Sequence, residues 1–509
     1  MGRDQEITGT AQREQGRNAQ SNNIYAAKLV GDLVRTTLGP KGMDKLLVDA
    51  AGEITVTNDG VTILEETAIT HPIGRMMVSI ASMQEKEVGD GTTTAVILAA
   101  ELLSEAQKLL EQGVHPTQII SGFQSAHIHT QQKLREYAHT VDANDAHTLT
   151  RVAQTAMTGK AADTTKQHLS LLVVNALKKT SVVQVLEKQG APIEASVCIQ
   201  GVVLDKQRVH ARMPKQVTDA KILLLDTPIE LRESEYNAKV SVQSPTQIEE
   251  FLRLEEAMLQ DVVKKIVRTG ATVVCAQKGI DDVAAYHLAK AGILCIRRVK
   301  KSDLELLSKA TGAQISSSVE DMQSEHLGSA KSVEERSIQD EEYVFFEGCA
   351  HEEVATIVLR ANTKHLVEEI KRAVTDALGD VRAVLEKRAV VGGAGAIEQR
   401  LSRAVLDFAQ TRSGKEQLAI RAFARALEVV PRTLAENAGL DTLEVLASQR
   451  ASSLQWPGIG VDTHIIDSWQ EGIIEPVRVK QLAFESAVHV ANMILRIDDV
   501  IVSQQISEE

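Results

Sequence analysis

Gly89-Asp90-Gly91-Thr92-Thr93-Thr94 opens a long apolar helical stretch that runs to about Glu111, and its reading decides what kind of protein this is. Two glycines let the backbone curl so that successive N–H groups point at one spot. Three threonine hydroxyls add donors, and the helix that follows contributes the positive end of its dipole. Such a nest suits polyphosphate. Asp90 inside it calls for a cation, because a carboxylate beside phosphate oxygens is repelled unless Mg²⁺ sits between them. The acid therefore points to a metal–nucleotide complex rather than bare phosphate. The same six residues also suit an ordinary helix start, with Thr92 or Thr94 as the N-cap and Asp90 complementing the dipole. The motif alone leaves both readings open.

Upstream, Ile24, Ala27, Val30 and Val34 repeat at helical spacing until Leu38-Gly39-Pro40 breaks the pattern. Leu46 to Val48 and Ile54 to Thr57 read as short strands. Asn58-Asp59-Gly60 before the β-branched run Val61 to Ile63 reads as a hairpin turn, with Asp59 a turn residue. A helix after Pro72 carries Met76, Met77, Ile80 and Met83 inward and delivers the chain to Gly89. Gly113 and Pro116 stop the helix that begins near Thr93.

The middle of the chain alternates strands and helices from about Lys221 to Gly312, which predicts an α/β unit. Its long helix starts at a capping box, Ser244-Pro245-Thr246-Gln247, and stops at Thr269-Gly270. Ile248, Leu252, Leu259, Val263 and Ile266 form its buried stripe, and Leu254 and Met258 widen it. The acidic segment Glu320 to Glu342 reads as a connector to a strand at Val354 to Leu359. The last third is helical again. Leu366, Ile370, Val374, Leu378, Val381 and Leu385 form one stripe. Asp376 projects from the other side, and with Arg372 and Asp380 four residues away it reads as part of a surface ion-pair row. The helix runs into a second glycine-rich loop, Val390 to Ala396. That loop is no Walker A motif, lacking Gly-Lys-Ser/Thr, and no dinucleotide fingerprint, lacking a preceding strand.

Composition narrows the class. The chain has 509 residues, a formal charge of -13 with acids and bases interspersed, and 3% aromatic residues, so neither a basic stripe nor a stacking platform for nucleic acid is present. Four widely spaced cysteines, Cys198, Cys275, Cys295 and Cys349, form no CxxC pair, which disfavours a disulfide framework or thiolate zinc site. His127 and His129, two apart, fall on different helix faces and read as surface residues. Met1 to Asn23 is polar, with no secretory core, and Glu6 spoils a myristoylation start. No stretch approaches a membrane span, and the expected location is the cytoplasm.

Together these pieces carry more than any one of them. Thr36-Thr37-Leu38-Gly39-Pro40-Lys41-Gly42-Met43-Asp44-Lys45, Asn58-Asp59-Gly60, Gly89 to Thr94, Thr375-Asp376-Ala377-Leu378, Val390 to Ala396 and Gly472-Ile473-Ile474-Glu475-Pro476 occur in the order and approximate spacing of chaperonins. The chain resembles the group II type, the archaeal thermosome and eukaryotic cytosolic chaperonin, whose signatures also match Gln154 to Lys160, Lys278 to Asp282 and Met493 to Asp499.

The resemblance implies a multidomain α and α/β subunit. A mostly helical equatorial ATPase domain would take residues 1–141 and 398–509, and a small α/β intermediate domain 142–208 and 361–397. An α/β apical domain would take 209–360, with a helical lid protrusion at about 240–268; on the residues alone Leu254 and Met258 suit either a client-facing surface or packing on a neighbouring loop, the commoner case. It implies an ATP-dependent folding machine, a double ring of identical or paralogous subunits (a hexadecamer), enclosing non-native polypeptides, with no nucleic-acid or membrane partner. ATP and Mg²⁺ would be the cofactors, with K⁺ a further candidate. In that setting Leu38, Gly39 and Pro40 line the phosphates, Asp90 binds the metal, and Gly91, Thr92, Thr93 and Thr94 cradle the β and γ groups. Asp59 and Asp376 flank the attacking water, Gly393 and Glu475 meet the ribose, and Lys160 senses the γ-phosphate. The resemblance also puts Asp376 and Asp90 on different domains, making chemistry conditional on closure.

The chain departs from the family pattern in places. Gly393-Ala394-Gly395 replaces three glycines, so a methyl stands near the ribose. Ala361-Asn362 replaces two glycines at the apical hinge, and Trp469 stands where methionine is common near the base. A phosphotransferase using the same loops would need a second substrate pocket, and an inactive ring scaffold would not need Asp59, Asp90 and Asp376 together.

Overall fold

The computed structural model describes residues 12–49, 51–52, 54–160, 162, 165–230, 245–339, 341–462 and 465–502. The chain divides into two compact units, one made from Met1–Val174 and Thr363–Glu509, the other from Asn175–Asn362.

The first unit is helical and is built around the Thr92–Glu111 helix, whose residues from Ala95 to Ala100 are all buried. A helix apolar on every side belongs at the centre of a core. The Gly16–Arg35 helix packs against it. A Cβ on Gly31 would sit 2.5 Å from that of Ala100, so the missing side chain is what lets the two backbones approach. The helices Pro72–Val88, Pro116–Tyr137, Gly414–Leu427 and Val477–Leu495 complete the layer around it. In Pro72–Val88 the inward positions are Ile73, Met77, Ile80, Ala81, Gln84 and Val88. Met83, six residues past Met77, lies on the far side and is exposed, contrary to the expected methionine stripe.

The expected hairpin at Asn58-Asp59-Gly60 is not formed. Lys45–Val48 and Ile54–Thr57 do pair antiparallel, but the β-branched run that follows is the helix Gly60–Glu66. Asp59 caps it: its Oδ2 accepts from the Thr62 N–H at 3.0 Å and the Thr62 hydroxyl at 2.7 Å. A cap that satisfies free helix N–H groups outweighs the weak strand preference of three β-branched residues. The helix Lys364–Lys387 does precede the second glycine-rich loop, but the first part of that loop is a strand, Ala389–Gly392, pairing on one side with Ile474–Pro476 and on the other with His139–Thr140. His127 and His129 are both half-buried rather than fully exposed. His129 stacks on Phe408 at 4.3 Å, and burial lowers the pKa of His127.

The second unit carries a nine-stranded sheet. Gln216–Leu225, Val273–Ala276 and Leu294–Ile296 run parallel, and their ends Leu223 to Leu225, Val273 to Ala276 and Leu294 to Ile296 are fully buried. Such continuous apolar runs mark strands covered on both faces. The acidic connector is instead a hairpin, Gly328–Ile338 with Glu341–Cys349, because its charges are paired. Arg336 spans Glu347 with two bonds of 2.8 and 3.0 Å, and buried Glu335 accepts from Arg208. The long helix Pro245–Thr269 buries Leu259, Val263 and Ile266 and exposes Met258. Ser244 of the expected capping box, and the side chains of Ile248, Leu252 and Leu254, lie outside the described residues. All four cysteines are free thiols. No described helix is long and apolar enough to cross a membrane.

Candidate functional site

The Gly89-to-Thr94 loop joins two helices end to tip. Gly89 closes Pro72–Val88 in the left-handed region (φ 81), and Gly91, also left-handed (φ 80), takes the N-cap position of Thr92–Glu111 with no side-chain cap bond. The threonines are therefore not the caps that the plainer reading required, and the helix N–H groups are left facing the loop. Gln84 clamps the turn from below, donating to the Asp90 carbonyl at 2.8 Å and to the Val479 carbonyl at 3.2 Å. Gly60 has to be glycine because a Cβ there would meet the Thr93 hydroxyl at 2.6 Å. Asp59 is thereby brought beside the threonines.

Four further segments close a cavity of about 410 Å³ over this loop. Leu38, Gly39 and Pro40 form one wall, held by Asn437, whose amide donates to the Leu38 carbonyl at 2.8 Å. Gly159 abuts Gly39, and Asn58 donates to the Gly159 carbonyl at 2.9 Å, so Lys160 is presented into the cavity from a tightly tied turn. Asp376, expected to be solvated, is only 6% exposed and ion-pairs with Lys160. Asp380, its supposed surface neighbour, is buried as well, so the ion-pair row on this helix is not a surface feature. Glu475 forms the fourth corner. Its strand pairs with Val391, its carboxylate pairs with buried Lys480, and Lys480 also reaches Glu398 at 2.8 Å. A Cβ on Gly393 would meet Glu475 Oε1 at 2.6 Å. Thus Leu38, Gly39, Pro40, Asp59, Asp90, Gly91, Thr92, Thr93, Thr94, Lys160, Asp376 and Glu475 all line one cavity. Gly393 stands behind Glu475 rather than on the lining, while Ala394 and Gly395 do line it. Trp469 does not; it packs on His139, ring centres 4.4 Å apart.

The electrostatics are those of buried carboxylates set among lysines. Burial, opposed by Lys160 and reinforced by Asp90 and Asp59, pushes the Asp376 carboxyl up to about 7. Burial, with Asp376, Asp59 and Asp90, pushes Glu85 up to about 8, and burial and Asp90 raise Asp380 far above the carboxylate range. Burial disfavours charge on Lys160, but the surrounding carboxylates outweigh it and keep the ammonium protonated. Lys41, Lys160, Lys166 and Lys480 line the cavity beside Asp59, Asp90, Asp376 and Glu475, with Lys160 paired to Asp376 and Lys480 to Glu475. Among the described residues no cluster of three or more metal-ligating side chains exists. Asp90 in the glycine–threonine loop is thus suited to a divalent ion that takes most of its ligands from elsewhere, such as water or a bound anion, as Mg²⁺ does. Glu85, Asp380, Gln84, Lys480 and Glu398 were not singled out as site residues from the sequence. Gln84 and Glu85 sit one turn before Gly89 and Asp380 one turn after Asp376, which was the available signal.

Residues 30–505 match the profile of the TCP-1/cpn60 chaperonin family. The chain is similar to thermosome subunit beta of Methanothermobacter thermautotrophicus, 50% identical over 96% of this chain and 92% of the relative. It is also similar to thermosome subunits of Methanopyrus kandleri (48% identical, 98% and 94% covered) and Methanocaldococcus jannaschii (46%, 96% and 93%).

Proposed function

The chain belongs to the TCP-1/cpn60 chaperonin family, whose members couple ATP hydrolysis to protein folding, and from that premise we propose that the cavity around Asp90 is its ATPase centre. The observation that carries this is the convergence of Asp59, Asp90, Asp376 and Lys160, from four distant stretches of chain, on one cavity at a helix N-terminus.

Water attacking a γ-phosphoryl group needs orientation and charge neutralisation more than a strong base. Asp59 and Asp376 orient that water, and ionised Asp376 accepts its proton. Gly39, Pro40 and the backbone and hydroxyls of Gly91 to Thr94 hold phosphate oxygens. Lys160 turns from Asp376 toward the terminal phosphate. Glu475, backed by Gly393 and steadied by Lys480, takes the ribose. Mg²⁺, held through Asp90, supplies charge neutralisation at the phosphates, and K⁺ is the further cation of this reading.

The proposed organisation keeps the equatorial (1–141, 398–509), intermediate (142–208, 361–397) and apical (209–360) segments. Closure of the intermediate segment would control hydrolysis, and the lid would lie at about 240–268. We further propose assembly into two stacked rings of identical or paralogous subunits in the cytoplasm, acting on non-native polypeptides. Phosphate release from the Asp376→Ala protein, with nucleotide binding followed by calorimetry, tests the centre. Binding retained with hydrolysis lost is expected; unchanged turnover overturns the role of Asp376.

A further inference from the structure

A second cavity, of about 590 Å³, opens between the helices Pro116–Tyr137, Ala396–Gln410 and Thr442–Ala451. Its charged lining is mostly basic: His129, Lys133, Arg400, Arg403 and Arg450 against Asp407. Two of these cations are already neutralised, Lys133 by Glu136 at 2.6 Å and Arg450 by Glu428 at 3.0 Å. Arg400 and Arg403 meet no carboxylate among the described residues. Arg400 instead packs over two rings, its guanidinium carbon 4.1 Å from the centre of Tyr137 and 4.5 Å from that of Trp456, with its Nη1 lacking a partner. An arginine pinned by aromatic faces has its orientation fixed before any ligand arrives. In a chain of charge -13, two uncompensated guanidiniums beside one cavity make a local surplus of the opposite sign.

Gln449 links this cavity to the nucleotide loop. It is buried and lines the cavity, and its amide donates to the Gly395 carbonyl at 3.3 Å and to the Pro457 carbonyl at 2.8 Å, while its Oε1 has no partner. Gly395 lines the nucleotide cavity. The Ala396–Gln410 helix, which carries Arg400 and Arg403, begins at the next residue.

We propose that this cavity is a second ligand site, for a small phosphorylated molecule held by Arg400 and Arg403, and that its occupancy alters nucleotide binding through Gln449 and the Ala394-Gly395 loop. Guanidiniums match phosphate oxygens with paired, charge-assisted bonds. The cavity is within the range of small-molecule sites and far larger than a lone phosphate, which favours a phosphate ester or polyphosphate. Only the coupling rests on the nucleotide reading of the neighbouring cavity; the binding itself does not.

The test uses sodium pyrophosphate on the assembled protein carrying Trp469→Phe, so that Trp456, stacked on Arg400, is the sole tryptophan. Saturable change in its fluorescence is expected without Mg²⁺ and with ADP present. Arg403→Glu, at an exposed position, should weaken pyrophosphate about tenfold or more, the worth of a charge-assisted bond. Saturating pyrophosphate should also shift ADP affinity threefold or more, and Arg403→Glu should remove that shift. Simple competition at the nucleotide cavity would survive the substitution. No fluorescence response, an unchanged pyrophosphate affinity in Arg403→Glu, or an ADP shift that persists in it overturns the proposal.

Discussion

On the proposed reading of the site, hydrolysis turns on Asp376. It sits on a helix face that buries its carboxylate against Lys160, and binding of the phosphates is assigned to other groups, so the two functions separate at this position. Asp376→Ala is expected to cut kcat by about 10²- to 10⁴-fold, the range for losing a group that positions and deprotonates a nucleophile. Nucleotide Kd should stay within a few-fold, measured by phosphate release and calorimetry. Asp90→Ala should do the reverse of a selective kcat defect, abolishing the gain in nucleotide affinity that Mg²⁺ gives to the unaltered protein. At Ala394 the backbone is left-handed (φ 55), a conformation that costs a residue bearing a Cβ about 1 kcal/mol or more. Ala394→Gly relieves that strain while adding freedom to the unfolded chain, so a net stabilisation of up to about 1 kcal/mol is expected in chemical unfolding. Gly393→Ala has the opposite sign, because its new methyl would strike Glu475. A weaker nucleotide with normal Asp376 chemistry is the expected result.

The elements that frame the site set its response to pH. The Pro72–Val88 and Lys364–Lys387 helices place Glu85, Asp376 and Asp380 near Lys160, and burial, reinforced by Asp90 and Asp59, makes Asp376 hold its proton up to about 7. Hydrolysis requires the ionised form, so kcat/KM, which reports the free protein, should rise through an acid limb near pH 7. Lys160 lowers the Asp376 pKa, so Lys160→Met should move that limb to higher pH as well as reduce the rate; a limb that stays in place denies the coupling. How much of this was legible depended on what each element rests on. The Gly89-to-Thr94 nest was readable because glycines and threonines ahead of an apolar helix act locally. The parallel strands of the second unit were readable because burial on both faces leaves unbroken apolar runs. Asp376 as a buried group was not readable from its own helix, since its surroundings, Lys160 and the Gly89 turn among them, come from stretches some two hundred residues or more earlier. Asp59 was misread as a turn residue because a hairpin and a helix cap use the same amino acids, and only its bonds to Thr62 distinguish them. The acidic stretch that became a hairpin was likewise obscured by arginine partners, Arg208 among them, outside its own segment.

At the scale of the whole molecule, the surface of the isolated subunit is not that of a protein that stays alone. The paired strands Lys45–Val48 and Ile54–Thr57 expose Leu46, Val48, Ile54 and Val56, and Met43 just before them is 69% exposed. A two-stranded ribbon with this many bare apolar side chains is marginal in water, and contiguous exposed apolar surface marks contact with another chain. Ring assembly, as proposed, supplies such a contact. Leu46→Lys with Val48→Lys would place two charges on that ribbon without touching the nucleotide cavity, whose lining includes neither residue. The double variant should lose the high-mass assembly in native mass spectrometry while each subunit still binds nucleotide. A variant that assembles normally would remove this ribbon from the subunit interface. An unsubstituted protein that stays monomeric yet hydrolyses ATP would count against the ring itself, because a lone subunit has no chamber in which to enclose a client.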